Sequence, residues 1–203
     1  GNIVGLDGPI SPDFFPKAAE VAGPVLGERI NVVWAENVGA HLMTLTPEQV
    51  REQMRAYLGK GVDFVKYASS DHLMALRTGF APNYLVFSER VQQVIVEEAH
   101  RAGTTAQAHT TTVESLRMAI EAGCDLIQHP NSTGPTPIPE STLRMLSQRR
   151  TGCVVFPFTR RRCEWAAEKC GELYSRFLAD SNHNARNLIQ SGATLLMGND
   201  GSL

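Results

Sequence analysis

The chain has 203 residues, 42% of them hydrophobic, with 19 basic against 21 acidic side chains and a formal net charge of −2. That length and apolar fraction can bury one sizeable core, while near-neutrality supplies no global field to gather a nucleic acid or an anionic membrane. Four cysteines without a CxxC pair point to a reducing compartment, and with neither a leader pattern nor an apolar run of about 18 residues the expectation is a soluble, cytoplasmic protein without a membrane partner.

Short β-branched apolar runs alternate with longer stretches of helical period. Asn2 to Leu6 is the first strand candidate; Asp7 to Arg29, rich in Gly and Pro, reads as an irregular excursion followed by a short helix, and Ile30 to Trp34 as a second strand. A helix over Pro47 to Leu58 opens on Thr46-Pro47-Glu48-Gln49, which supplies an N-cap hydroxyl, a proline at the first helical position and a reciprocating amide. The strand Asp63 to Tyr67 follows, then a helix from Ser88 to Ala102, a strand from Thr105 to His109 and a helix from Thr112 to Glu121. The strand Asp125 to His129, the helix Pro139 to Arg149, the strand Cys153 to Phe158, the helix Glu164 to Ser191 and the strand Thr194 to Gly198 complete the series. Gly61, Gly103, Gly123, Gly152 and Gly192 each fall between a helix and the next strand, where a left-handed cap suits glycine. The repeated unit of helix, glycine and strand predicts one α/β domain with a parallel sheet.

In parallel α/β folds chemistry gathers at the carboxyl ends of the strands. Those ends carry Lys66, His109, His129 and Asp200. Lys66 stands among apolar neighbours, where an ammonium must be paired, depressed in pKa or chemically modified. Two neutral imidazoles and a carboxylate on one rim suit a divalent metal such as zinc. Singly, each has a plainer account: a strand-end histidine is commonly a hydrogen-bonded structural residue, and Asp200 before Gly201 can make a turn.

Together, Gly61-Val62-Asp63-Phe64-Val65-Lys66, the strand ending in His109, Ala122-Gly123-Cys124-Asp125-Leu126-Ile127-Gln128-His129 and Gly198-Asn199-Asp200 resemble the amidohydrolase superfamily. Within it they are most similar to the branch of imidazolonepropionase-like hydrolases and Xaa-Pro or Xaa-Arg dipeptidases. The resemblance implies a (β/α)8 TIM barrel of the metal-dependent hydrolase type, here about strands three to eight, and a metal-dependent hydrolase of C–N bonds acting on a small amide, dipeptide, cyclic amide, urea or carbamate. It implies that Lys66 is carboxylated by carbon dioxide to a carbamate bridging two zinc ions, and that His109 and His129 bind the more exposed one. Asp200 would bind the other metal and act as base, then acid, on the shared hydroxide and the leaving nitrogen. Tyr67, His72 and Tyr84 fall where the family places substrate contacts, with aromatic packing an equal alternative, and Arg160 in Phe156-Pro157-Phe158-Thr159-Arg160-Arg161-Arg162 could hold a substrate carboxylate, although a solvated basic turn accounts for it equally well.

The family opens its barrel with a His-x-His pair, and this sequence has none; His41, His72, His100 and His183 stand alone. The resemblance therefore implies that residues 1–203 are a partial catalytic barrel, with the first strands, a small β domain and the final helix outside it, and with Asn2 to Leu6 as about the third strand. A homo-oligomer is a candidate assembly. Two alternatives stay open: a mononuclear ring deaminase of the same fold, against which Lys66 argues, and a non-catalytic barrel remnant acting as a binding module. The glycosylation pattern Asn131-Ser132-Thr133 follows His129 too closely to be read as a surface acceptor.

Overall fold

The structure, a computed structural model, describes residues 3–6, 20–21, 23, 38–71 and 84–198. Among the described residues five strands form one sheet in chain order: β1 (Phe64–Ala68), β2 (Thr105–His109), β3 (Leu126–Gln128), β4 (Gly152–Val155) and β5 (Thr194–Met197). Every neighbouring pair is parallel. The helices include α1 (Pro47–Leu58), α2 (Glu89–Arg101), α3 (Val113–Glu121), α4 (Glu140–Arg149), α5 (Arg160–Lys169) and α6 (Glu172–Gln190), with a 3-10 turn at Ala40–Thr44. A sheet whose order never reverses is wound in one direction. Right-handed crossovers then put its helices on one face, which is the geometry of a barrel wall rather than of an open doubly wound sheet.

The two faces of the sheet differ accordingly. Val65, Tyr67, Ala106, Ala108, Ile127 and Cys153 share the helix side and are wholly buried. On the other side Phe64 is 42% and Leu196 48% exposed, as expected of a barrel wall whose opposite strands are not among the described residues. Val4 bridges in parallel to Tyr67, its N–H donating to the Lys66 carbonyl at 2.8 Å and its carbonyl accepting from the Ala68 N–H at 2.9 Å. The expected strand Asn2 to Leu6 thus survives as one bridge beside β1. Ile30 to Trp34 lies outside the described residues.

Local chemistry explains the element boundaries. Thr46 and Gln49 form the reciprocal capping box at the start of α1, and Ser88 caps α2 by accepting from the Val91 N–H. The single long helix expected from Glu164 to Ser191 is instead two, because Gly171 adopts φ 82° and ψ 171°, a conformation open to glycine and closed to a continuing helix. Gly152 caps nothing. Arg150 takes the left-handed position after α4 (φ 55°), while Gly152 opens β4, where a Cβ would come within 2.8 Å of Leu126 Cδ1. β4 ends early because the Asn131 side chain, rather than a neighbouring strand, pairs with the backbone of Phe156.

Helices α1 and α2 are joined through Glu98, which is 1% exposed. Arg51 and Arg55 reach it from α1, at 2.6 and 3.1 Å, and Arg101 closes over it from its own helix. A carboxylate buried so deeply is tolerable only with such partners. No described helix is long and apolar enough to cross a membrane.

Candidate functional site

Two imidazoles meet at the carboxyl end of the sheet. His109 closes β2 and His129 follows β3; both are buried, and their ring centroids lie 4.6 Å apart at 77°, edge to face. Strand alternation alone would send His129 to the helix side with Ile127. A left-handed backbone at His129 (φ 43°) breaks the alternation and turns the ring back over His109. For a residue with a Cβ that conformation costs roughly 1–2 kcal/mol, so the surroundings must hold it. The His129 N–H donates to the Val154 carbonyl at 2.8 Å, and its carbonyl accepts from the Ser132 N–H at 2.8 Å.

Backbone carbonyls fix the tautomers. A carbonyl only accepts, so the ring nitrogen facing it carries the proton. His129 Nδ1 donates to the Thr110 carbonyl at 3.0 Å, and His109 Nε2 to the Asp71 carbonyl at 3.2 Å. In the neutral rings the lone pairs then sit on His129 Nε2 and His109 Nδ1. Two adjacent neutral imidazoles, each oriented by a backbone acceptor, have the donor chemistry and the outer support that a divalent cation needs. The residues present fit a metal in that respect.

Lys66 lies in the middle of β1, not at its end. Its side chain shares a face with that of Ala68, the register partner of His109, and starts about 7 Å further down the strand. Its own partner is Gln107, whose Oε1 accepts from Gln128 Nε2 at 2.9 Å, so polar side chains from three strands line the inner face beneath the imidazoles. Above them runs a buried polar turn. Ser70 Oγ meets Thr111 Oγ1 at 2.8 Å and accepts from the Thr111 N–H at 2.8 Å, while Thr111 Oγ1 donates to the Asp71 carbonyl at 2.9 Å. Asp71 is 1% exposed, which puts a buried carboxyl group on the turn that holds His109. Sequence reasoning passed over it; the signal was the polar run Ser69-Ser70-Asp71 directly after an apolar strand.

The other expected residues divide. Asp200 and His72 lie outside the described residues. Tyr67, expected near substrate, is instead in the core on the helix side, its hydroxyl donating to Gln92 Oε1 at 3.3 Å. Burial, with Cys124 beside it, pushes that phenol well above its ordinary range. Tyr84 is half exposed, and its carbonyl accepts from the Asp71 N–H at 3.0 Å, which ties its backbone to the rim turn. Arg160 opens α5 with its side chain 93% exposed and paired to Glu164 at 2.8 Å, the geometry of a solvated basic turn. Asn131 is wholly buried, so its glycosylation pattern is not an accessible acceptor. Among the described residues no group of three or more His, Cys, Asp and Glu side chains could hold a metal ion.

No family model matches the sequence. The solved structure of molinate hydrolase superposes with a TM-score of 0.84 at 36% identity, over 98% of this chain and 43% of that one. Over nearly its whole length the chain is similar in structure to this hydrolase. Phenylurea hydrolase B gives 0.85 at 32% identity, over 98% and 44%. Ochratoxinase of Aspergillus niger is 33% identical over 82 residues, 40% of this chain and 17% of that protein, and its crystal structure superposes at a TM-score of 0.60 and 27% identity over 77% and 35%. The five parallel strands match part of an amidohydrolase barrel, and these structural neighbours are hydrolases. This chain spans less than half the length of each of them.

Proposed function

We propose that the protein containing this chain is a metal-dependent hydrolase of C–N bonds in a small amide, dipeptide, cyclic amide, urea or carbamate. The observation that carries the proposal is the pair of buried imidazoles, 4.6 Å apart, with their protonated nitrogens tied to backbone carbonyls. His109 Nδ1 and His129 Nε2 would hold one divalent ion, zinc by preference for nitrogen donors. Lys66, as a carbamate formed with carbon dioxide, and Asp200 would complete a two-ion centre. The metal, when bound, supplies Lewis acidity that lowers the pKa of water and polarises the scissile carbonyl.

The remaining work belongs to side chains of this chain. Asp200 takes the proton from the attacking water and passes it to the leaving nitrogen, so that the amine departs neutral. The rim turn of Ser70, Asp71 and Thr111 keeps the His109 ring at one angle throughout. Tyr84 and His72 are the substrate-facing candidates. Similarity to molinate hydrolase at 36% and to phenylurea hydrolase B at 32% identity, each over 98% of this chain, puts molinate and phenylureas first in a substrate panel. A cytoplasmic setting accords with four free cysteines.

The test is turnover of amide, urea, carbamate and dipeptide panels by the full-length protein before and after chelation. Activity on at least one class, lost on chelation and restored by Zn2+, supports the proposal. Full turnover by a metal-free preparation refutes it.

A further inference from the structure

We infer that Phe156 is a positioning residue for the metal site, a wedge that fixes the His129 ring against the end of β5. The inference rests on the metal-site reading given above. Phe156 directly follows β4 and is 9% exposed. Its ring centroid lies 5.5 Å from that of His129, tilted by 48°. The same ring fills the space over Gly198, the first residue past β5. A Cβ there would come within 2.4 and 3.0 Å of two Phe156 ring carbons and 2.6 Å of Val154 Cγ1, closer than carbon atoms approach. Glycine at 198 is thus a consequence of the wedge, and Asp200 lies two residues further along the chain.

The wedge is anchored at its own backbone. Asn131, wholly buried, accepts from the Phe156 N–H at 3.1 Å and donates to the Phe156 carbonyl at 3.2 Å. The same amide donates to the Ser181 carbonyl of α6 at 3.4 Å. Around His129 the Thr110 carbonyl then fixes Nδ1, the edge-to-face contact with His109 bounds one side, and Phe156 bounds another. The phenyl ring opposes rotation of the imidazole about its bond to the Thr110 carbonyl, so Nε2 keeps one direction, and the left-handed backbone at His129 (φ 43°) is packed in place.

The experiment measures Zn2+ affinity by chelator competition in the full-length protein for Phe156→Leu, Phe156→Ala and Phe156→Tyr, with thermal unfolding in parallel. Leu146→Ala in α4, a wholly buried core position, is the control for general destabilisation. Loss of an orienting neighbour weakens metal binding by about 10- to 100-fold. We expect that loss in the Leu and Ala variants, recovery in the Tyr variant, which keeps the ring, and no change in Leu146→Ala. If His129→Ala abolishes Zn2+ binding while the Phe156 variants bind as tightly as wild type, the wedge is refuted and the metal site stands. Equal weakening in Leu146→Ala also refutes it, by reducing Phe156 to general stability. If wild type binds no Zn2+, the metal-site reading itself falls and the wedge with it.

Discussion

Replacing Asn131 by alanine tests the physical coupling between the loop after β3 and the end of β4. The side chain is wholly buried and makes three hydrogen bonds, two of them to the N–H and carbonyl of Phe156 and one to the Ser181 carbonyl. Alanine leaves both Phe156 groups in the interior without that partner. A buried polar group stripped of its partner costs about 1–3 kcal/mol, so two of them cost about 2–6 kcal/mol, a large share of the roughly 5–15 kcal/mol that stabilises a domain. Asn131→Asp should lose more. It keeps an acceptor for the Phe156 N–H but turns a carboxylate oxygen toward two carbonyl oxygens, with a charge to bury as well. Urea denaturation of the full-length protein, followed by circular dichroism and tryptophan fluorescence, measures both changes. Alanine within about 0.5 kcal/mol of wild type, the range of an ordinary surface substitution, would refute the coupling.

Gly171→Ala separates a broken helix from a continuous one by the sign of its effect. With φ 82° and ψ 171° at the break, alanine should cost about 1–3 kcal/mol, whereas an unbroken helix would be stabilised, and differential scanning calorimetry reads the direction. The thiols of Cys124 and Cys153 are pushed up to about 12 by burial, so each remains protonated at neutral pH and gains reactivity only as pH climbs toward that value. At pH 8 about one in ten thousand is thiolate; iodoacetamide followed by peptide mass mapping should modify exposed Cys170 first and leave these two untouched, and early labelling of either would contradict the packing. Lys66→Ala should abolish hydrolysis in the full-length protein and recover part of it in millimolar-range acetate or propionate, since a small carboxylate can stand in for the carbamate; activity without any dependence on the added acid counts against the carbamate.

The fold was legible because the signals were redundant. Caps at Thr46 and Ser88 and the helix-glycine-strand phrase around Gly61, Gly103 and Gly123 all agreed with the apolar period. The break at Gly171 was hidden because the residues on both sides of it have helical propensity, and the decisive quantity is one backbone angle. The site was legible as residue types in order, not as geometry. Period two puts Lys66 and His109 on one face but sends His129 to the other, and only the left-handed turn at His129 reconciles the pair. Tyr67 misled for a related reason. Its neighbour Lys66 faces inward, so Tyr67 faces the helices, and proximity in sequence to a site residue meant the opposite side of the sheet. Asp71 was marked only by the polar run Ser69-Ser70-Asp71, and Phe156 and Asn131 left no sequence signal, because what they touch lies in other segments.

The central claim is that His109 and His129 together hold a metal ion. Elemental analysis of the purified full-length protein tests it, comparing wild type with His109→Ala, His129→Ala and the double variant. Wild type should carry bound divalent metal, each single variant should lose at least one equivalent, and the double should show no further loss of that equivalent. Wild-type metal content retained in all three variants would contradict it.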